Sequence, residues 1–215
     1  MARPRIVLAD DHTLILEGIR RLIEDKFEIV GYADNGKDLI RTALRLKPEL
    51  IVLDVSMPIL NGIDAMREIK KELPSTRFVF LSMHSGSVYV RKALEAGASA
   101  YVLKSGASED LVHAIELARK GKFYFSPSLD SDVIETARSA QGLSVSRTME
   151  LTARQRQILQ LIAEGKQNKE IAGLIHVSVR TVEFHRSRLM SRLGARTVAE
   201  LTRCAIREGL ISPAE

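Results

Sequence analysis

The chain has 215 residues, of which 45% are hydrophobic, and its 32 Lys+Arg outnumber 27 Asp+Glu for a net charge of +5. That length accommodates one large domain or two small ones. No apolar run approaches the ~20 residues that cross a bilayer, the N-terminus lacks a signal-peptide core, and Cys204 alone excludes an internal disulfide, so a cytoplasmic protein with no membrane partner is expected.

Arg5 to Ala9 is a short apolar run that ends in Asp10-Asp11. Thr13 opens a helical pattern carrying Leu14, Ile15, Gly18, Ile19, Leu22 and Ile23. Glu28 to Ala33 predicts a strand, and Lys37 to Leu46 a helix that stops before Pro48. Ile51-Val52-Leu53 then reads as a strand buried on both faces, and it delivers Asp54 to its C-terminal end. Asn61-Gly62 turns the chain into a helix over 63–73. Phe78 to Leu81 leads to Ser82, 88–96 is a helix stopped by Gly97, and Ala100 to Leu103 runs into Lys104. A last helix starts around Ser108-Glu109-Asp110 and ends at Gly121. Five strands alternating with five helices imply a doubly wound parallel sheet, flavodoxin-like, with both faces covered.

In such sheets chemistry sits outside the C-terminal strand ends. Those ends present Asp10, Asp11, Asp54, Ser82 and Lys104. An isolated strand-end aspartate often does no more than cap the next turn; here four strand ends agree. Crowded carboxylates repel unless a cation is present, and a hard ion such as Mg²⁺ relieves that penalty. One carboxylate is then available as a nucleophile toward a phosphoryl group, with Lys104 and the metal neutralising its oxygens and Ser82 donating to one of them.

Asp10-Asp11, Asp54 with Met57-Pro58 beyond it, Ser82, and Tyr101 three before Lys104 resemble the receiver domain of bacterial two-component response regulators. The resemblance implies that Asp54 accepts a phosphoryl group from a sensor histidine kinase. It also implies Mg²⁺ held by Asp11, Asp54 and the Ser56 carbonyl, with Asp10 acting mostly through water. Ser82 and Tyr101 would be a switch pair that moves when the phosphoryl group arrives. Such a domain is a phosphoacceptor with slow autodephosphorylation rather than an enzyme. One departure is Ser105 after Lys104, where many receivers have proline; a cis bond before a non-proline residue costs ~3–4 kcal/mol. An aspartyl-phosphate phosphatase on a similar sheet would need a second carboxylate two residues after the nucleophile, where this chain has Ser56.

Receiver residues 1–122 are followed by a joint over 123–149. Phe123-Tyr124-Phe125 reads as core packing, and Ser126-Pro127 as an N-cap and first turn of a helix over 128–138. Residues 139–146 have linker composition.

Residues 150–215 carry 11 Lys+Arg against 7 Asp+Glu, while residues 1–125 carry 19 against 17, so the basic excess points to a polyanion partner for the C-terminal part. Thr152 and Gln155 form a capping box ahead of a helix with Ile158, Leu159 and Ile162. Asn168 starts a second helix, Ser178 caps a third over 179–193, and 198–208 is a fourth. Two helices joined by a tight break in a compact basic bundle make a helix-turn-helix within a small all-α domain. With Val182, Leu189 and Leu193 inward, Arg180, Glu183, Phe184, Ser187, Arg188 and Ser191 face outward. His185 falls beside the core face and reads as structural, as does Cys204.

Leu151 to Gln155, Asn168 to Ala172 and Val177 to His185 resemble the LuxR-type DNA-binding domain, and receiver plus this domain is the architecture of the NarL/FixJ class of response regulators. Gln155 stands where that family usually has Glu. The resemblance implies double-stranded promoter DNA as partner, a homodimer when phosphorylated, and RNA polymerase as a further partner. Glu183, Phe184 and Ser187 would meet bases, and Arg180, Thr181, Arg186 and Arg188 phosphates.

Overall fold

The computed structural model describes residues 3–139 and 151–212, which fall into two compact units, 1–143 and 144–215. In the first, strands β1 (Arg5–Ala9), β2 (Glu28–Ala33), β3 (Leu50–Leu53), β4 (Arg77–Ser82), β5 (Ala100–Leu103) and β6 (Tyr124–Phe125) form one parallel sheet in the order β2-β1-β3-β4-β5-β6. The sixth strand corrects the expectation of five. Tyr124 and Phe125 pair with Ala100 and Tyr101, so the aromatic cluster extends the sheet along the free edge of β5 instead of only filling the core.

Residues alternate between two cores because a strand's side chains point alternately to its two faces. Val7, Ile51, Leu53, Phe78, Phe80 and Tyr101 face one layer with α2 (Gly36–Leu46), α3 (Gly62–Glu72) and α4 (Ser87–Glu95). Ile6, Leu8, Leu50, Val52, Val79 and Leu81 face the other with α1 (Thr13–Ile23) and α5 (Ala107–Arg119). The β1–β3 register aligns Ala9 with Leu53, so Asp10 and Asp54 leave adjacent strands at one level. Gly62 secures that level from outside: a Cβ there would run into the Asp54 carbonyl oxygen. Asn61, buried beside it, caps α3 by accepting the Asp64 amide at 2.9 Å.

Ser126 does not cap a helix at 128. It is fully buried and gives its hydroxyl to Asp110 on α5, and the helix α6 starts later, at Ser131–Ser139, behind Asp130, whose Oδ1 accepts the Asp132 amide at 2.9 Å. Leu129, Val133 and Ile134 carry this segment onto the α4 side of the core. The remainder of the expected linker, 140–149, lies outside the described residues.

The second unit packs α7 (Ala153–Ala163), α8 (Asn168–Ile175), α9 (Val179–Leu193) and α10 (Val198–Arg207) around Ile158, Leu159, Ile171, Val182, Leu189 and Leu201. Both capping-box bonds are present, Gln155 N to Thr152 Oγ1 at 3.2 Å and Thr152 N to Gln155 Oε1 at 3.0 Å. His176 in the left-handed region ends α8, and Ser178 accepts the Thr181 amide at 3.1 Å to start α9, which makes the tight break between them. No described helix is long and apolar enough to cross a membrane.

Candidate phosphoryl site and nucleic-acid interface

Three charged side chains meet at the strand ends. Lys104 Nζ donates to Asp54 Oδ2 at 2.8 Å and to Asp10 Oδ2 at 2.7 Å, and all three side chains are at least nine-tenths buried. Asp54 Oδ1 accepts the Val55 amide at 2.6 Å. Burial pushes the Asp54 carboxyl up, against the opposing pull of Lys104, and Asp10 adds to the rise. Burial would lower Lys104, but the two carboxylates outweigh it and hold the ammonium above its ordinary range. One ammonium facing two carboxylates is why the lysine rises despite its burial, whereas burial dominates at Asp54.

Ser105 follows Lys104 through a trans bond, and Lys104–Gly106 forms a single 3-10 turn. On the opposite side, the loop after Asp54 is tight at Ile59, whose φ of 70° is costly for a β-branched residue and closes a bond from Leu60 N to Pro58 O at 2.8 Å.

Asp11 turns from Lys104 toward His12: Nδ1 of His12 lies 3.0 Å from Asp11 Oδ1 and 3.2 Å from Asp10 Oδ1. Among the described residues Asp10, Asp11 and His12 form a group whose donor atoms lie close enough together to surround one ion, with Asp10 buried and the other two exposed. The two carboxylates, buried Asp10 and exposed Asp11, offer the hard oxygen donors that suit a divalent ion of the Mg²⁺ kind.

Ser82 is fully buried, and its hydroxyl accepts the His84 amide at 3.2 Å. His84 Nε2 pairs with Ser56 Oγ at 2.8 Å, and its ring stacks on Tyr89 of α4 with centroids 4.2 Å apart. Tyr101 is buried, 1% exposed, and donates its hydroxyl to the His84 carbonyl at 2.8 Å. His84 thus joins the loop after β4 to Ser56, Tyr89 and Tyr101. Burial lowers its imidazole below the usual range and raises the Tyr101 phenol.

In the second unit the outward face of α9 is as expected: Arg180, Glu183, Phe184, Ser187 and Arg188 are exposed, while Val182 and Leu189 are fully buried. Thr181 is half-buried, with its hydroxyl 2.8 Å from Ser178 Oγ. Arg186 is half-buried and donates to Asn168 Oδ1 at 3.2 Å, which ties α9 to the start of α8. Arg188 places its guanidinium carbon 4.7 Å from the Phe184 ring centroid.

The family described as response regulator receiver domain matches residues 6–116, more than half of the chain, and the luxR family of bacterial regulatory proteins matches residues 149–205. The chain belongs to the response regulators. This regulator is 36% identical over 210 residues to the transcriptional regulatory protein MctR of Rhizobium johnstonii, covering 97% of its own length and 95% of the relative. It is 30% identical to the oxygen regulatory protein NreC of Staphylococcus carnosus, with 96% and 99% covered. Its fold is similar to the RcsB response regulator of Salmonella typhimurium, with a TM-score of 0.65, 27% identity, and 97% and 99% of the chains covered.

The regulator's receiver therefore places Asp10, Asp54 and Lys104 in direct contact and connects Ser82 and Tyr101 through His84. Three residues of this region, His12, His84 and Tyr89, carry no signal of periodicity or spacing. Only the nearness of His12 to Asp11, and of His84 to Ser82, along the chain marks two of them out.

Proposed function

We propose that Asp54 is the phosphoacceptor for a sensor histidine kinase and that its phosphorylation governs the seating of α9 in the major groove of promoter DNA, with the regulator acting as a homodimer. The observation that carries this is the contact of Lys104 with both Asp54 and Asp10 at the end of the central strand. In the transfer, an Asp54 carboxylate oxygen forms the new P–O bond as the P–N bond of the kinase phosphohistidine breaks and the imidazole departs. Lys104 follows the incoming negative charge, and Ser82 offers its hydroxyl to a phosphoryl oxygen. Asp11, Asp54 and the Ser56 carbonyl would hold Mg²⁺, with Asp10 acting mostly through water, and the ion's contribution is charge neutralisation on the phosphoryl oxygens. Water returns Asp54 slowly to the free carboxylate.

On α9, Glu183, Phe184 and Ser187 face bases, while Arg180 and Thr181 approach phosphates near its N-terminus. Output through RNA polymerase follows if the occupied promoter is activated. The test incubates the full chain with acetyl phosphate and Mg²⁺ and weighs it intact. One acid-labile phosphoryl adduct, absent from Asp54→Ala, is expected. Turnover of unrelated phosphate esters would indicate a phosphatase instead, and an inert chain would leave the receiver a scaffold only.

A further inference from the structure

Arg188 occupies the outward arc of α9 but not its centre. With about 100° per residue and Val182 as the buried centre, Phe184 lies about 20° from the outermost line and Arg188 about 60°. An arginine on that flank reaches most easily for the phosphate backbone beside the groove. Its guanidinium carbon instead lies 4.7 Å over the Phe184 ring, which draws it back toward the centre of the face. Phe184 is itself 53% exposed, an apolar ring held in the middle of a polar surface. Arg186, by contrast, is anchored to Asn168 at 3.2 Å on the side toward α8.

We infer that Phe184 and Arg188 form one base-reading unit, in which Arg188 recognises a guanine and Phe184 the methyl group of a thymine on the adjacent base pair. The inference rests on the proposed seating of α9 in the major groove. A guanidinium over an aromatic face keeps its N–H edge available, and that planar fork matches the O6 and N7 acceptors of guanine. The ring also restricts the arginine before DNA arrives, so less side-chain entropy is lost on binding. Its own exposed edge supplies the apolar contact that a thymine methyl requires. A phosphate contact would use none of this, because a phosphate is reached equally well by a mobile side chain.

The experiment selects a preferred duplex with the full chain in the presence of beryllofluoride, then replaces each guanine by 7-deazaguanine and each thymine by uracil, one at a time. Both side chains are exposed, and helical circular dichroism checks that the variants fold. One 7-deazaguanine should cost the unmodified sequence roughly 5- to 150-fold in affinity and cost Arg188→Ala almost nothing. Uracil at the neighbouring pair should weaken binding in a way that Phe184→Ala abolishes. Phe184→Leu, which keeps an apolar contact but no ring face, should shrink the 7-deazaguanine effect and retain the uracil effect. If Arg188→Ala instead weakens all duplexes alike and lowers the slope of log K against log salt by about 0.9, Arg188 is a phosphate contact and the pair is no reading unit. Failure to select any duplex would overturn the major-groove seating, and this inference with it.

Discussion

Lys104 Nζ lies 2.8 Å from Asp54 Oδ2, and the same ammonium reaches Asp10 at 2.7 Å. It is the counter-ion that lets two carboxylates share a buried strand end. Removing one partner of a buried ion pair leaves uncompensated charge, which typically costs 3–5 kcal/mol. Lys104→Met should therefore lower the stability of the receiver by roughly that amount in metal-free buffer. Mg²⁺ should restore part of the loss, because a bound divalent ion offsets the same repulsion. Urea unfolding with and without Mg²⁺ measures both. A deficit that the metal leaves unchanged would mean that the acidic pair does not hold the ion.

The Tyr101 hydroxyl donates to the His84 carbonyl at 2.8 Å, and the ring is buried. Tyr101→Phe keeps the packing and deletes that one bond, at a cost of about 1 kcal/mol. Amide exchange should accelerate in the 83–86 loop, while Asp54 still accepts phosphate from acetyl phosphate. Unchanged exchange there would show that the bond does not restrain the loop.

The strand ends were legible because each apolar run stops at a side chain of different chemistry, and a parallel sheet brings such stops to one edge. Asp10, Asp54 and Lys104 met for that reason. His84 and Ser56 are 28 residues apart on loops of no period, so their pairing was not legible. β6 escaped because two residues, Tyr124 and Phe125, are too few to show alternation, and their edge position is set by β5. Ser126-Pro127 carried a helix-start pattern, yet an aspartate partner on α5, Asp110, drew the buried serine's hydroxyl away from capping. On α9 the step of about 100° was enough to orient the helix, but the tether of Arg186 depends on Asn168 in another helix.

All four tyrosines, Tyr32, Tyr89, Tyr101 and Tyr124, lie in the first unit, and the chain has no tryptophan. Tyrosine fluorescence therefore reports on the receiver alone, while far-ultraviolet circular dichroism reports on both units. Thr152→Ala removes the hydroxyl that caps α7 and should cost about 1 kcal/mol. The dichroism transition in urea should acquire an earlier component while the fluorescence transition stays in place. Coincident shifts in both signals would contradict a local capping effect.

Tyr124 donates its hydroxyl to Asp110 Oδ1 at 2.8 Å, and Ser126, itself 3.0 Å from Ser128, gives its hydroxyl to the other oxygen of the same carboxylate. The carboxylate on α5 thus fastens β6 and the segment leading to α6. Burial first, then the hydrogen bond and the charge of Asp110, push the Tyr124 phenol up from its usual 10 to about 12. The sign follows from proton counting. Between pH 10 and about 12 the folded chain keeps a proton that the unfolded chain releases, so the unfolded state binds fewer and stability falls as pH rises. Tyr124→Phe should be weaker than the natural sequence by about 1 kcal/mol near neutral pH, through loss of one hydrogen bond. Across the alkaline window it should lose less further stability, so the two stability curves converge as pH increases. Tyr101, whose phenol burial also raises, contributes the same slope to both proteins and cancels in the difference. Paired urea titrations from pH 8 to about 12 give that difference, and tyrosinate absorbance in the same samples reports the ionisation directly. Parallel curves would mean that Tyr124 titrates alike in both states, and that Asp110 does not hold it.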